Sequence, residues 1–158
     1  MNWADPELTR TLADLIDEYV GYSATMNFAG KRAMWDKDDP QVLLMPEENK
    51  EPLIGWGAIG PYWKDWSSVM EYIRSHAANH AARFLTPEMA VCIYDMRWVA
   101  KLHRSPKPVS ADVRVTSLWR KRPEGWRLFH LMESPIDGEA LMRMAYEAEY
   151  RRVFPASR

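Results

Sequence analysis

The stretch from Val113 to Ser134 constrains the fold of this chain more than any other. Val113, Val115 and Ser117 alternate with Arg114, Thr116 and Leu118, the period of two that a strand requires. Pro123, Glu124 and Gly125 interrupt the pattern, and Gly125 can take the positive φ that closes a short loop. Trp126, Leu128, His130 and Met132 then alternate with Arg127, Phe129, Leu131 and Glu133. This pattern predicts an antiparallel hairpin, which is stable only when other elements cover it.

Helices precede it. From about Pro6 to Phe28, Leu8, Leu12, Leu15, Ile16, Tyr19 and Val20 form one apolar stripe, with Asp5 placed to cap and Pro6 at the first helical position. Asn27 to Asp39 predicts a short second helix with Ala33, Met34 and Trp35 facing inward. Val42 to Met45 reads as a short strand, Pro52 to Gly57 as a loop, and Ala58 to roughly Tyr72 as a helix. Glu71 to Leu85 is ambiguous, because its alanines favour helix. Ala90 to His103 reads as a long strand, and Gly138 to Phe154 as a helix. Helices followed by a run of strands predict an α+β fold.

The chain has 158 residues, 21 of them basic and 22 acidic, so no strongly basic face points to nucleic acid. Its apolar runs are too short to cross a bilayer, and its start lacks a signal-peptide pattern, so a cytoplasmic protein is expected. The lone Cys92 is expected to be reduced and buried. Eight Trp, seven Tyr and ten Met suit either a bulky core with an oligomer interface or a cavity for an aromatic ligand.

Three segments carry a resemblance: the hairpin with its Trp-Arg-Lys-Arg and Gly-Trp-Arg-Leu-Phe-His, IGWGAIGPYW at Ile54 to Trp63, and AVCIYDMRWVAK at Ala90 to Lys101. In this order they resemble the nuclear transport factor 2-like superfamily, which includes ketosteroid isomerases, scytalone dehydratases, limonene epoxide hydrolases and SnoaL-like polyketide cyclases. The resemblance implies a cone-shaped α+β barrel, in which N-terminal helices pack a strongly curved antiparallel sheet. One domain is expected over residues 1–158, with its core over about 8–134 and an added helix over about 138–154.

Candidate site residues follow from alternation and from the resemblance. On the long strand, Asp95, Arg97 and Lys101 share one face, and Cys92, Tyr94, Met96 and Trp98 the other. Charges amid an apolar strand are costly unless they meet each other, a ligand or water. Asp95 is therefore a candidate general base and Arg97 a candidate oxyanion holder, with a structural ion pair as the other reading. Lys101 suits an acid, a base or a phenolate anchor, or a solvated rim lysine. The resemblance adds Tyr22, and after it Tyr19, as hydrogen-bond donors from the first helix, and Glu133 or His130 from the last strand. Those two face opposite sides of a regular strand, so only one can line a pocket. Trp35, Trp56, Tyr62, Trp63 and Trp66 are expected around the mouth, as cavity wall or as packing. His76 and His80 could share a helical face, but no third metal ligand accompanies them.

No metal and no cofactor are implied. The expected function is a cofactor-independent lyase or isomerase of a bulky aromatic, phenolic molecule. Dehydration, or retro-aldol loss of formaldehyde from a lignin-derived diaryl compound, would be such a reaction. The alternative is a non-catalytic binding or assembly module of the same fold. A homodimer or trimer is expected, with the face of Cys92, Tyr94, Met96 and Trp98, or the Trp119 strand, supplying apolar contact.

Overall fold

A computed structural model describes residues 3–136. The first helix, α1 (Pro6–Ala24), begins where the caps predict: Asp5 Oδ1 accepts from the N–H groups of Glu7 and Leu8 at 3.0 and 2.8 Å. It ends at Ala24, because Met26 takes φ 53° and Asn27 starts α2 (Phe28–Ala33) by accepting from Gly30 N–H at 2.9 Å. Strands β1 (Leu43–Met45) and β2 (Leu53–Ile54) follow, the latter inside the segment expected to be loop. Gly55 (φ 72°) then opens α3 (Trp56–Val69); a Cβ there would sit 2.9 Å from Pro40 O.

The ambiguous alanine-rich segment is a strand, β3 (Met70–Thr86), paired antiparallel with β4 (Met89–Leu102) along most of its length. Tertiary pairing overrides the local helical preference. The small side chains serve the packing: Ala77 and Ala82 are buried under α1, and Ala82 O accepts from Asp5 N–H at 2.8 Å. Ala82 N–H in turn donates to Thr9 Oγ1 at 3.0 Å. Between Ala78 and Ala81 a bulge puts Asn79 at φ 56°, so the strand bends there. His76 lies on the strand before that bulge and His80 within it, so no helical face joins them.

The hairpin forms as predicted, from β5 (Val109–Arg122) and β6 (Gly125–Pro135), with Gly125 at φ 117°. The six strands run in the order β2-β1-β6-β5-β4-β3, all neighbours antiparallel except β1 beside β6. The sheet is curved and open, with the helices on its inner face. A register shift in β6 places Leu118 opposite His130 but Trp119 opposite Leu128. Leu128 and Leu131 therefore both turn inward and are buried. The helix expected over 138–154 lies outside the described residues.

One polar cluster anchors the chain between α2 and β1. Asp36, 1% exposed, accepts from Arg120 at 2.6 Å and from Arg122 at 2.8 Å, and its backbone N–H donates to Leu128 O at 2.8 Å. Asp39 takes a second bond from Arg120 at 3.0 Å. These contacts pin the 36–39 turn onto β5 and β6, and so hold α2 over the sheet.

Candidate functional site

The sheet curves around a cavity of about 220 Å³, closed by α1, α2 and α3. Its walls are mostly apolar: Leu44, Ile73, Met96, Trp98 and Leu131 contribute from the strands. The polar groups are few and converge from different elements, as expected of a small-molecule site. Tyr19 and Ser23 come from α1, Lys31 from α2, Tyr62 from α3, Tyr94 from β4 and Glu133 from β6. Val109, which also lines the cavity, is largely exposed and marks an edge that reaches solvent.

Lys31 is 5% exposed and donates to Ser23 Oγ at 2.8 Å. Its ammonium sits 4.4 Å from the centre of the Tyr19 ring and 5.8 and 5.6 Å from those of Trp63 and Trp66. Burial lowers its pKa to about 8, although the charge of Glu133 works the other way. Glu133 shows the opposite response to the same environment. Desolvation and the charge of Glu48 push it up to about 7, against the pull of Lys31. The two groups therefore change protonation near neutral pH, in a cavity whose walls are mostly apolar. Tyr19 and Tyr94 are both held well above the ordinary phenol range, chiefly by burial, and Glu133 adds to that. Each remains a neutral hydroxyl able to donate a hydrogen bond. Tyr62 donates to Glu48, and Trp98 Nε1 to Glu47 at 2.6 Å, which ties the β1–β2 connection to the rim.

Several expected site residues lie elsewhere. Asp95 and Arg97 face outward, which corrects the expectation that they meet inside the pocket. Arg97 pairs with Asp112 at 3.1 Å, and Asp95 with Arg114 at 3.6 Å and Asn79 at 3.0 Å, all on the solvated side. The alternation on β4 is as read, but the sides are exchanged. Cys92, Tyr94 and Met96 are buried and Trp98 is half-buried, because burying them is favourable and burying two charges is not. For the same reason that face, and Trp119 at 1% exposure, are not available for contact with another subunit. Exposed ion pairs contribute little, so Asp95→Asn and Arg97→Ala are each expected to change stability by no more than about 0.5 kcal/mol in urea melts.

Lys101 bonds to Glu71 Oε2 at 3.2 Å, away from the cavity. Tyr22 donates to Glu18 at 2.7 Å, with its ring packed on Gly30; a Cβ on that glycine would lie 2.7 Å from the ring. Its place toward the cavity is taken by Tyr19, one turn earlier. On β6, Glu133 lines the cavity and His130 does not. Tyr62 and Trp63 line it too, whereas Trp35 and Trp56 stand behind Trp63, with ring centres 6.4 and 5.7 Å from it. Lys31 was missed by sequence reasoning: it precedes the inward-facing Trp35 by four residues, a helical spacing within the expected Asn27 to Asp39 helix, but the helix observed stops at Ala33, before Trp35.

A family model for the SnoaL-like domain matches residues 12–138. The chain belongs to the SnoaL-like domain family. Isomerases and dehydratases occur in that family. No curated protein matches the sequence. Among solved structures, the SnoaL-like chain is similar to a nuclear transport factor 2-like superfamily protein from Salmonella enterica serovar Typhimurium. Identity is 16%, with 82% of this chain and 91% of the other covered, at a TM-score of 0.71. It is also similar to a candidate scytalone dehydratase from Novosphingobium aromaticivorans, at 10% identity, 83% and 94% coverage and a TM-score of 0.72. A third similar structure is a candidate calcium/calmodulin-dependent protein kinase II association domain from Xanthomonas campestris, at 18% identity, 87% and 96% coverage and a TM-score of 0.69. At these identities the likeness concerns the fold. Among the described residues of the SnoaL-like chain, no helix is long and apolar enough to cross a membrane.

Proposed function

We propose that this SnoaL-like protein is a cofactor-independent lyase or isomerase that acts on an aromatic small molecule by general acid–base chemistry, with Glu133 moving the proton. The observation that carries this reading is the position of Glu133, a carboxyl inside an apolar cavity that is held near neutrality by burial. As a carboxylate it would take a proton from the substrate; as an acid it would return that proton at another atom or to a departing hydroxyl. Tyr19 and Tyr94 would donate hydrogen bonds to the oxygen on which charge develops. Dehydration of an aryl alcohol and retro-aldol loss of formaldehyde both fit this arrangement, since each needs one proton acceptor and one oxyanion site. The cavity volume of about 220 Å³ suits one ring system with a short side chain better than a whole diaryl compound, whose second ring would extend through the mouth.

The test is turnover of a panel of phenolic benzylic alcohols, aryl hydroxyketones and ketosteroids without added cofactor, with products identified by mass spectrometry. Conversion of at least one phenolic compound supports the reading. Tight binding of aromatics with no conversion across the panel would replace it with the binding-module reading.

Self-association is proposed through the outer sheet face, where Val91, Ile93 and Leu118 lie half-buried among charged neighbours. A dimeric mass by light scattering at micromolar concentration is the expected outcome, and a monomeric mass counts against it.

A further inference from the structure

Lys31 is an uncommon group to bury. Its amine is enclosed by Tyr19, Trp63 and Trp66, and its one hydrogen-bond acceptor among the described residues is the neutral hydroxyl of Ser23. It takes part in none of the ion pairs among those residues. A buried cation without a directly bonded anion is costly, and an anion entering the cavity would remove that cost. An ammonium can make three hydrogen bonds, and Ser23 takes one. The cavity that Lys31 lines offers room for a further acceptor on a ligand.

We propose that the ligand of this cavity is an aromatic molecule bearing one oxyanion, a phenolate or an aryl-linked carboxylate, and that Lys31 is its counter-ion. The inference rests on the reading of the cavity as the substrate site, and it adds the charge class of the substrate. The titratable groups around Lys31 agree with it. Tyr19 and Tyr94 are neutral donors, and Tyr62 already donates to Glu48. Glu48, which accepts from Tyr62, lines the same cavity and offers an anion no favourable partner.

One probe pair and one chromogenic probe test this. The first is 2-naphthoate against 2-naphthamide, compared by calorimetry at pH 7. The carboxylate is expected to bind about ten- to a hundredfold more tightly, as for a hydrogen bond to a charged group. In Lys31→Met and Lys31→Gln this preference should vanish. The second probe is 4-nitrophenol, whose anion absorbs in the visible range. Binding to the wild-type protein is expected to increase the phenolate fraction, and binding to Lys31→Met to decrease it. The wild-type measurements decide the matter even where the variants fail to fold. Equal affinity for naphthoate and naphthamide, or uptake of nitrophenol as the neutral phenol, overturns the proposal but leaves the cavity as an aromatic site. Failure of all three compounds to bind overturns both.

Discussion

Replacing Glu133 by Gln is expected to lower turnover by about a hundred- to ten-thousandfold, the usual contribution of a positioned proton carrier, while the protein stays folded. The amide keeps the shape of the carboxyl and loses only the titration. With Glu133 as the base, the wild-type rate should rise as pH climbs through about 7, the pKa that burial gives this carboxyl. The rise should turn into a fall above about 8, where Lys31 loses its charge. Residual activity in the Gln variant should lack the lower limb. Stability adds an independent sign. A carboxyl whose pKa is raised on folding, here from 4.5 to about 7, favours the folded state below the unfolded value and loses that contribution as pH rises through the folded one. Wild type should thus lose stability between pH 5 and pH 8. The Gln variant should lose less, ending about 3 kcal/mol ahead at pH 8, the equivalent of a net shift that already includes the attraction to Lys31. Full turnover in a folded Gln variant would remove Glu133 from the chemistry. Identical denaturation curves at pH 8 would remove its burial as the cause of the shift.

Asp36→Ala is expected to be the most destabilising change in the chain's polar contacts, at about 2–4 kcal/mol. Asp36 is 1% exposed and holds two guanidinium groups at 2.6 and 2.8 Å; without it Arg120 and Arg122 face each other across a hole. Both arginines are partly exposed, so water softens the loss and the lower part of the usual range applies. Burial alone would raise the Asp36 carboxyl, but the bonds from Arg122 and Arg120 outweigh it and hold its pKa below the ordinary 3.8. Its stabilisation is therefore present above the ordinary carboxylate pKa and lost as pH falls below it. Denaturant midpoints of wild type and variant should keep their gap from pH 7 down to the ordinary carboxylate pKa and draw together only below it. A gap that stays constant as far below that pKa as the fold survives would show that the packing of the 36–39 turn, and not the ion cluster, sets the cost. Because the turn carries α2, the variant should also weaken binding of 2-naphthoate through Lys31.

The hairpin, the capped first helix and the long β4 strand were legible because each is written in local periodicity and caps. Asp5, Pro6, Gly125 and the alternation of β5 and β6 act within a few residues of their own position. The alanine-rich β3 was not legible, since its strand form depends on pairing with β4 and on α1 packing against Ala77 and Ala82. Site residues divide along the same line. Glu133, Tyr19, Tyr62 and Trp63 were named and do line the cavity. Asp95, Arg97, Lys101 and Tyr22 were named for their chemistry and stand outside it. Lys31 was hidden in a helix of six residues, too short to show a face by its own pattern.

Alternation in the sequence determines which side chains of a strand share a side, and so it separated Asp95 and Arg97 from Tyr94 and Met96. It does not determine which side becomes the interior. That choice belongs to the whole sheet, which curves toward the helices only with its apolar faces inward. Cys92, Tyr94, Met96 and Trp98 have more to gain from burial than two charges have from meeting each other. The same closure brought Lys31 and Glu133, far apart in the chain, into one largely apolar cavity. There burial moves both toward neutrality, a property that neither residue has in the sequence alone.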